Sequence, residues 1–469
     1  MNFLQRVGLV LLVAMSPLAA NAADLDGARL NVLWAIPFAG LLLSIALMPL
    51  MAPVFWHHHF GKVSAAWTLA FFLPFAASFG VGTAGASLLH AMLAEYIPFI
   101  ILLTALYTVA GGIHIRSNLQ GSPALNCALL LIGVVLASFM GTTGASMLMI
   151  RPLIRANENR QNKAHLVVFF IFLVSNVGGS LTPLGDPPLF LGFLKGVDFF
   201  WTLGAIFPET LFMVASLIAI FYIIDSYYFK KEGLLPVDPT PQTGRLGFDG
   251  AVNFWLLAAA AGLVLMSGVW KSPVAIDVAG TAVGLPGIVR DAGLVFITLI
   301  SLRITAKSVH DSNQFSWAPM QEVAKLFVGI FLTIIPVIAM LKAGSDGPFG
   351  VIVSAVTRPD GSPNPAMYFW AAGSLSSFLD NAPTYLVFFN TAGGDPKVLM
   401  TTLAPTLAAI SAGAVFMGAN TYIGNAPNLM VKAVAEQLGV KMPSFFGYMA
   451  WSCGVLIPLF IVVTLIWFR

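Results

Sequence analysis

Apolar stretches long enough to cross a membrane recur along this chain from residue 30 to its end. A helix of about 20 residues spans the hydrocarbon core of a bilayer, which is about 30 Å thick. The composition agrees, because 58% of the residues are hydrophobic and 9% are charged, whereas soluble domains are about a quarter charged. Runs such as 330–341 do not alternate between apolar and polar residues, as strands of a membrane barrel would. The sequence therefore predicts an all-α polytopic membrane protein.

Composition and charge exclude several other classes of protein. The formal net charge is +3, and the basic residues cluster in a few loops, so we expect no nucleic-acid partner. Cys127 and Cys453 lie in apolar runs without C-x-x-C spacing, which argues against a disulfide framework or a cysteine metal site. The nucleotide-binding pattern G-x-x-x-x-G-K-[ST] and the zinc pattern H-E-x-x-H are absent. We therefore expect a protein that is not an enzyme and needs no cofactor.

Residues 1–22 have the pattern of a cleavable signal peptide. Arg6 precedes a short apolar stretch, 7–15, and Pro17 and the small-residue sequence 20–22 follow it. The apolar part is too short to cross a membrane by itself. The mature N-terminus would then be periplasmic, which places the protein in the inner membrane of a bacterium.

Loop charge predicts the topology. Lys and Arg concentrate in alternate loops, which the positive-inside rule places in the cytoplasm. The histidines 57–59, in the predicted loop 52–62, are interpreted as an interfacial segment rather than a metal site. The polar, Pro-rich stretch 225–250 is predicted to be a cytoplasmic linker between a first half, 23–224, and a second half, 251–469. The predicted spans are 30–51, 63–83, 87–112, 165–196, 202–224, 251–270, 287–303, 323–342, 399–432 and 444–468.

Each half also contains an apolar segment that fits a re-entrant hairpin. The 29 residues 122–150 are too many for one crossing and too few for two at about 20 residues each. The sequence GTTG at 141–144 interrupts them, and DNAP at 380–383 interrupts the apolar run 366–390. Each half thus has three spans, one hairpin and two further spans, with the second half in the opposite orientation. The sequence predicts two inverted repeats.

A seven-residue motif occurs once in each half. Residues 182–188 read TPLGDPP and residues 421–427 read TYIGNAP, which share the pattern T-x-[LI]-G-[DN]-x-P. The first hairpin tip precedes its motif by 39 residues, counted from Thr143, and the second tip precedes its motif by 40, counted from Asn381. Gly and Pro break a helix, and bare backbone at membrane depth is tolerated only where it is buried in protein or lines a cavity. Interrupted segments in corresponding positions of two halves predict a binding site near the membrane midplane.

Two carboxylates fall in these interrupted segments. Asp186 lies in the first motif and Asp380 at the second hairpin tip, where a carboxylate is costly unless it binds a cation or holds a proton. A carboxylate that can take either is the minimum requirement for exchanging a cation for protons. The oxygen ligands nearby suit sodium. The candidate ion-binding residues are Thr142, Thr143, Ser175, Asn176, Thr182, Gly185, Asp186, Asp380, Asn381, Thr384, Asn420, Thr421 and Asn425.

Simpler interpretations remain open for several of these residues. Asp186, and either Asp380 or Asn381, can cap the helices that begin at the prolines following them, without any role in transport. Glu95 and Glu209 lie in predicted spans, where they either relay protons or sit at the membrane interface.

The sequence resembles the ion transporter superfamily, and in particular its citrate-transporter-like (CitMHS-type) group, which is often labelled sodium:proton antiporter. The resemblance rests on SNVGG at 175–179, TPLGDPP at 182–188 and LDNAPT at 379–384, and it covers nearly the whole mature chain. It implies a homodimer in which a transport domain with both hairpins and both broken helices moves against a scaffold in an elevator-like cycle. The hairpin tips of this chain, GTTG at 141–144 and DNAP at 380–383, differ from the Ser-Asn-Thr tips of sodium-coupled dicarboxylate carriers. This difference argues against direct binding of a substrate carboxylate.

Sodium/proton antiport is the function that these residues favour. Citrate beside Asp186 and Asp380 would suffer like-charge repulsion, and no Arg or Lys lies within the hairpins or the motifs to offset it. A proton- or sodium-coupled carrier for citrate or another dicarboxylate, including a metal–citrate complex, is the alternative, because half-helix N-termini can hold carboxylates. An intramembrane aspartyl protease is disfavoured because residues 183–186 do not match G-x-G-D.

Overall fold

The chain folds as a bundle of apolar helices. Among the residues described, eight helical stretches are long and apolar enough to cross a membrane by length and composition, and they include Pro123–Ala156, whose fold-back is described below. The number is nine if the pair Ala318–Thr333 and Ile335–Lys342, bent by 43°, forms one span. This confirms a polytopic helical membrane protein. The predicted signal peptide lies outside the residues that this computed structural model describes, which are 25–116, 119–233, 247–278 and 280–469.

The first half begins with long helices and ends with interrupted ones. A π-helical turn, Met92–Tyr96, joins α3 to α4, and a 3-10 turn, Val177–Gly179, follows α6. The helices are α1 Ile36–Met51, α2 Pro53–Phe79, α3 Val81–Ala91, α4 Ile97–Gly111, α5 Pro123–Ala156, α6 Ala164–Leu173, α7 Pro187–Leu194, α8 Trp201–Ala205 and α9 Phe207–Glu232.

The second half repeats the pattern of long and interrupted helices. A 3-10 turn, Met417–Asn420, follows α19. The helices are α10 Val252–Val269, α11 Leu285–Ile304, α12 Lys307–Ser312, α13 Ala318–Thr333, α14 Ile335–Lys342, α15 Gly350–Ala355, α16 Pro365–Ser376, α17 Asn381–Thr391, α18 Pro396–Met400, α19 Ala404–Phe416, α20 Ala426–Gln437 and α21 Phe445–Trp467.

Two short antiparallel strand pairs were not predicted. Strand β1, His114–Arg116, pairs with β2, Gly247–Asp249, and so joins the two halves of the chain. Strands β3, Ala275–Val278, and β4, Thr281–Gly284, form a hairpin between α10 and α11. Each strand has at most four residues, which is too short to produce a recognisable alternating pattern in the sequence.

The predicted loop 52–62 is wrong, because residues 53–62 belong to α2. Only Ala52 separates α1 from α2, and Pro53 occupies the first turn of α2, where its missing N–H costs no hydrogen bond. The basic and histidine-rich composition of 57–62 indicated a loop, but the segment contains no proline to interrupt a helix. The histidines 57–59 therefore lie on a helix.

The predicted linker 225–250 begins too early, because α9 continues to Glu232. Asp225 is fully buried and forms an ion pair with Arg160 at 2.6 Å and a hydrogen bond with His165 at 2.8 Å. These contacts hold the last turns of α9 against the start of α6, so charged residues that suggested a loop are part of a packed helix. Residues 234–246 of the linker lie outside the described part of the chain.

Helix α5 folds back on itself at Gly141, as predicted for the first hairpin. Gly141 has φ 80° and ψ 150°, values that a side chain disfavours and glycine allows. A straight helix of this length would hold its ends about 50 Å apart. Instead, the N–H of Gly121 donates to the carbonyl of Ala156, and Asn126 Nδ2 donates to Asn157 Oδ1 at 3.1 Å. These contacts confirm a hairpin with its tip at Gly141.

The second hairpin consists of α16 and α17. The two arms are separated by residues 377–380, and the rings of Tyr368 and Phe388, one on each arm, lie 6.2 Å apart. This edge contact between residues on opposite sides of the break confirms that the chain reverses near Asp380.

The same hydrogen bonds hold hairpin to motif in both halves. The hydroxyl of Thr182 donates to the carbonyl of Ser138, and that of Thr421 donates to the carbonyl of Ser377. Each second-half residue lies 239 positions after its first-half counterpart. The Ser138 and Ser377 hydroxyls likewise donate to the carbonyls of residues 178 and 417, which have the same offset. With the same offset of 239 positions, the counterpart of Asn381 is Thr142. The tip-to-motif spacing in the sequence had matched Asn381 with Thr143, one residue later.

Candidate ion-binding site

Four helical arms begin next to one another. Hydrogen bonds connect residues at their first positions, so the four N-termini converge. The N-terminal end of a helix carries unpaired N–H groups and a partial positive charge, which favours a negative group nearby. The arms are α7, α17, α20 and the part of α5 that follows Gly141.

Asp186 lies where these arms meet and is 1% exposed. Its Oδ1 accepts hydrogen bonds from Thr142 Oγ1 at 3.0 Å and from Asn425 Nδ2 at 3.3 Å. Its Oδ2 accepts a hydrogen bond from Asn381 Nδ2 at 2.5 Å. Among the described residues, no Lys, Arg or His forms an ion pair with this carboxylate. Both hairpin tips and the second motif therefore hold one buried carboxylate through neutral donors alone.

The interpretation of Asp186 as a helix cap is wrong. Pro187 and Pro188 follow it and have no N–H groups, so the first turn of α7 offers little for the carboxylate to accept. The main-chain carbonyl of Asp186 accepts from Leu189 N at 3.1 Å, while its side chain is used entirely by other segments. Asp186 therefore occupies the N-cap position of α7 with its backbone, while its carboxylate contacts the residues of the candidate site.

Asp380, in contrast, does cap its helix. Its Oδ1 accepts from Ala382 N at 3.0 Å, and its carbonyl accepts from Thr384 Oγ1 at 3.0 Å. The capping interpretation is confirmed for this residue. Asp380 fixes the start of α17 and thereby places Asn381 beside Asp186.

A chain of buried amides lies behind the carboxylate. Asn425 Nδ2 is also within 3.1 Å of the Ser175 carbonyl and 3.3 Å of Asn176 Oδ1. Asn176 Nδ2 donates to Asn428 Oδ1 at 2.8 Å, and Asn428 donates to the carbonyls of Gly418 and Thr421 at 2.9 Å. Sequence reasoning missed Asn428, although it lies one helical turn after the motif residue Asn425 and hence on the same face of α20.

The backbone of the first motif packs against the hairpin tip. The carbonyl of Gly185 accepts from Thr142 N at 2.9 Å. A Cβ at Gly185 would lie 2.2 Å from the Gly179 carbonyl oxygen, so only glycine fits there. Ser175 Oγ lies 2.9 Å from the hydroxyl of Ser146, a residue on the second arm of the hairpin that was not predicted.

Two side-chain oxygens at the site are buried without a hydrogen-bond partner in the described chain. They are Oδ1 of Asn381 and Oδ1 of Asn420. The Nδ2 group of Asn381 is bound to Asp186, and that of Asn420 donates to Ser377 Oγ at 2.9 Å. A buried carbonyl oxygen without a donor is costly, and it is the kind of ligand that a hard cation takes.

The remaining candidates form no hydrogen bond with the Asp186 carboxylate in the described chain. Thr143 is half-buried and does not hydrogen-bond to Asp186. Glu95, in the π-helical turn, forms an ion pair with Lys195 at the end of α7. Glu209 is buried in the first turn of α9, and its Oε2 has no hydrogen-bond partner in the described chain.

The described residues contain no cluster of three or more His, Cys, Asp or Glu side chains suited to a metal ion, including around histidines 57–59.

A multi-pass helical protein with two hairpins and two interrupted helices around a buried polar site has the architecture of a secondary transporter. The chain belongs to the family described as "Putative citrate transport", whose model matches residues 27–468. This confirms the resemblance to citrate-transporter-like ion transporters, a family of transporters and not of enzymes. A comparison with curated proteins found no match.

Proposed function

We propose that this protein exchanges sodium for protons across the inner membrane of a bacterium, with both ions binding in turn at Asp186. The observation that supports the proposal is the environment of this carboxylate: it is buried, has no cationic partner in the described chain, and is held by neutral donors from three other segments. A carboxylate so placed needs a cation or a proton whenever it crosses the low-dielectric part of the membrane.

The ligands around Asp186 suit sodium as the transported cation. The carboxylate, the hydroxyl of Thr142 and the unpartnered Oδ1 of Asn381 supply oxygens of the kind that hard cations prefer. Proton and sodium compete for the same carboxylate oxygens, so one leaves as the other binds. Alternate loading from the two sides of the membrane then produces exchange.

The contacts of Asp186 favour movement of the two hairpins and the two motifs together, as one unit. Thr142, Asn381 and Asn425 each donate to it from a different segment, so the hairpin tips and both motifs are tied together by the binding group. We propose that these segments form the transport domain of an elevator-like cycle and that the protein works as a homodimer, in keeping with the superfamily resemblance.

Transport of citrate or another dicarboxylate, coupled to protons or sodium, is the second candidate. The family assignment favours it, and so do the four helix N-termini that converge at the site, because they can hold a carboxylate without basic side chains. Against it, Asp186 already occupies the position that these N-termini favour for an anion, and a citrate carboxylate beside it would be repelled. A metal–citrate complex would reduce that repulsion.

The test uses purified protein in acid-inside proteoliposomes with a lumenal pH indicator. We expect external sodium to make the lumen of wild-type vesicles more alkaline, and we expect Asp186→Asn to lose this response. Glu436→Gln, which removes an exposed carboxylate that pairs with Lys432, is the control and should behave like wild type.

Two outcomes would reject the proposal. A full sodium response in Asp186→Asn would show that this carboxylate does not bind the exchanged ions. No sodium response in wild type, together with citrate-dependent proton movement, would replace antiport by citrate transport on the same fold.

A further inference from the structure

A cavity lies at the opposite end of α7 from Asp186. It has a volume of about 250 Å³ and opens between the ends of α7 and α10 and the start of α11. Helix α7 has eight residues, so the cavity is about 12 Å along the chain axis from the ion-binding site. The loops at these three ends lie on one predicted side of the membrane, and α10 and α11 are candidate spans, which places the cavity at the membrane surface.

Arg290 supplies a buried positive charge to this cavity. Its side chain is 6% exposed, its Nε donates to Asp291 Oδ1 at 2.7 Å, and its Cζ lies 5.8 Å from the centre of the Phe190 ring. The terminal nitrogens have no hydrogen-bond acceptor among the residues described. Nη2 lies 3.9 Å from the position that a Cβ would take at Gly287, another lining residue. Arg290 therefore lines the cavity with a guanidinium that is paired with Asp291 through Nε and has terminal donors free for a ligand.

The start of α11 and Lys271 add to this positive character. Gly284, the residue before α11, has no side chain that could cap the helix. Leu285 N donates to the Val274 carbonyl at 3.0 Å and Pro286 has no N–H, so the first-turn donor that lines the cavity is the N–H of Gly287. Lys271 lines the same cavity and is exposed. A buried guanidinium, an ammonium and an uncapped helix N-terminus together suit an oxyanion with several oxygens, and phosphate is a common one.

The other wall of the cavity indicates which kind of phosphate compound would fit. Asp198 lines it with an exposed carboxylate, which favours a ligand that carries a positive group a few ångströms from its phosphate. Leu194 and Val197 provide an apolar surface, and Trp270, directly before Lys271, is 41% exposed. Tryptophan beside lysine at the end of a span is typical of the headgroup region of a membrane.

We propose that this cavity binds the headgroup of a zwitterionic phospholipid of the phosphoethanolamine type. The phosphate contacts Arg290, Lys271 and the first turn of α11, the ammonium contacts Asp198, and the acyl chains pass over Trp270. The lipid would then join α7, which carries Asp186 at its other end, to α10 and α11. This inference does not depend on which ion or anion is transported.

The test measures thermal unfolding of the delipidated protein in detergent after addition of defined ligands. We expect phosphatidylethanolamine to raise the unfolding temperature by several degrees and phosphatidylglycerol, which lacks the ammonium, to raise it less. Arg290→Gln and Lys271→Gln should each lose most of the effect of phosphatidylethanolamine. Asp198→Asn should lose the difference between the two lipids. Arg303→Gln, at the far end of α11 and exposed, is the matched control and should respond like wild type.

Three results would overturn the proposal. The first is equal stabilisation of the wild-type protein by the two lipids. The second is an unchanged response to phosphatidylethanolamine in both Lys271→Gln, an exposed position where the change should not disturb folding, and Arg290→Gln. The third is full stabilisation by inorganic phosphate or citrate alone, which would assign the cavity to a soluble anion.

Discussion

At the scale of single residues, the chemistry depends on which groups share one carboxylate. Asp186 accepts one hydrogen bond from each hairpin tip, through Thr142 and Asn381, and one from the second motif, through Asn425. Any ion that binds there changes the charge that all three donors experience. On the proposed function, ion binding would thereby be linked to the positions of both tips, which a carrier whose movement depends on its bound ion requires.

Replacing Thr142 by Val should weaken sodium binding. The change keeps the shape of the side chain but removes the hydroxyl that contacts Asp186, a hydrogen bond to a charged group worth about 1.5 kcal/mol. We expect the sodium concentration for half-maximal exchange to rise about tenfold. Thr143→Val is the matched control, because its hydroxyl does not reach Asp186, and equal effects of the two changes would argue against the role of Thr142.

At the scale of elements, glycines allow the two interrupted helices to pass close to the turns before them. A Cβ at Gly185 would lie 2.2 Å from the Gly179 carbonyl oxygen, and a Cβ at Gly424 would lie 2.5 Å from the Gly418 carbonyl oxygen. Backbone occupies the space in both cases, so no side-chain movement can relieve the contact. The same close approach positions Asp186 and Asn425 at the starts of α7 and α20.

Gly185→Ala and Gly424→Ala should each destabilise the protein by about 1–3 kcal/mol, because the motif must move away from the preceding turn. The expected result is a lower unfolding temperature in detergent together with loss of sodium/proton exchange in proteoliposomes. Gly262→Ala, in the middle of α10 with open space around it, is the control and should unfold at the wild-type temperature or slightly above it, because alanine favours a helix interior over glycine. Unchanged stability in both motif variants would mean that the close backbone contact does not constrain the fold.

The elements that the sequence predicted well are those with a local signal. The hairpins followed from apolar runs of the wrong length for a span, and the interrupted helices from their Gly and Pro residues. The continuity of α2 through 57–59 and the bend of 43° between α13 and α14 depend on packing, which composition does not reveal. The same limit applies at the candidate site. A carboxylate in an interrupted apolar segment indicated Asp186, but its hydrogen bond with Asn425 joins residues 239 positions apart, which local sequence does not reveal.

At the scale of the whole molecule, the two halves share a hydrogen-bond framework but differ in charge. The Thr182–Ser138 and Thr421–Ser377 bonds are equivalent, yet the first motif carries an aspartate where the second carries Asn425. The carboxylate therefore belongs to one half, while the amide of the other half donates to it. We infer that the two halves form one shared site with a single charged group rather than two independent sites.

This asymmetry can be reversed experimentally, because Asp186 and Asn425 occupy equivalent positions and contact each other at 3.3 Å. In the double variant Asp186→Asn/Asn425→Asp, the carboxylate moves to the other motif but stays within the same group of donors. We expect Asp186→Asn alone to abolish sodium-dependent alkalinisation of proteoliposomes and the double variant to recover a measurable part of it. Asn425→Asp alone places two carboxylates in contact, and their repulsion should lower stability. If the double variant folds, as size-exclusion chromatography would show, and remains inactive, then the two motifs are equivalent in backbone only, and exchange requires the carboxylate at the start of α7.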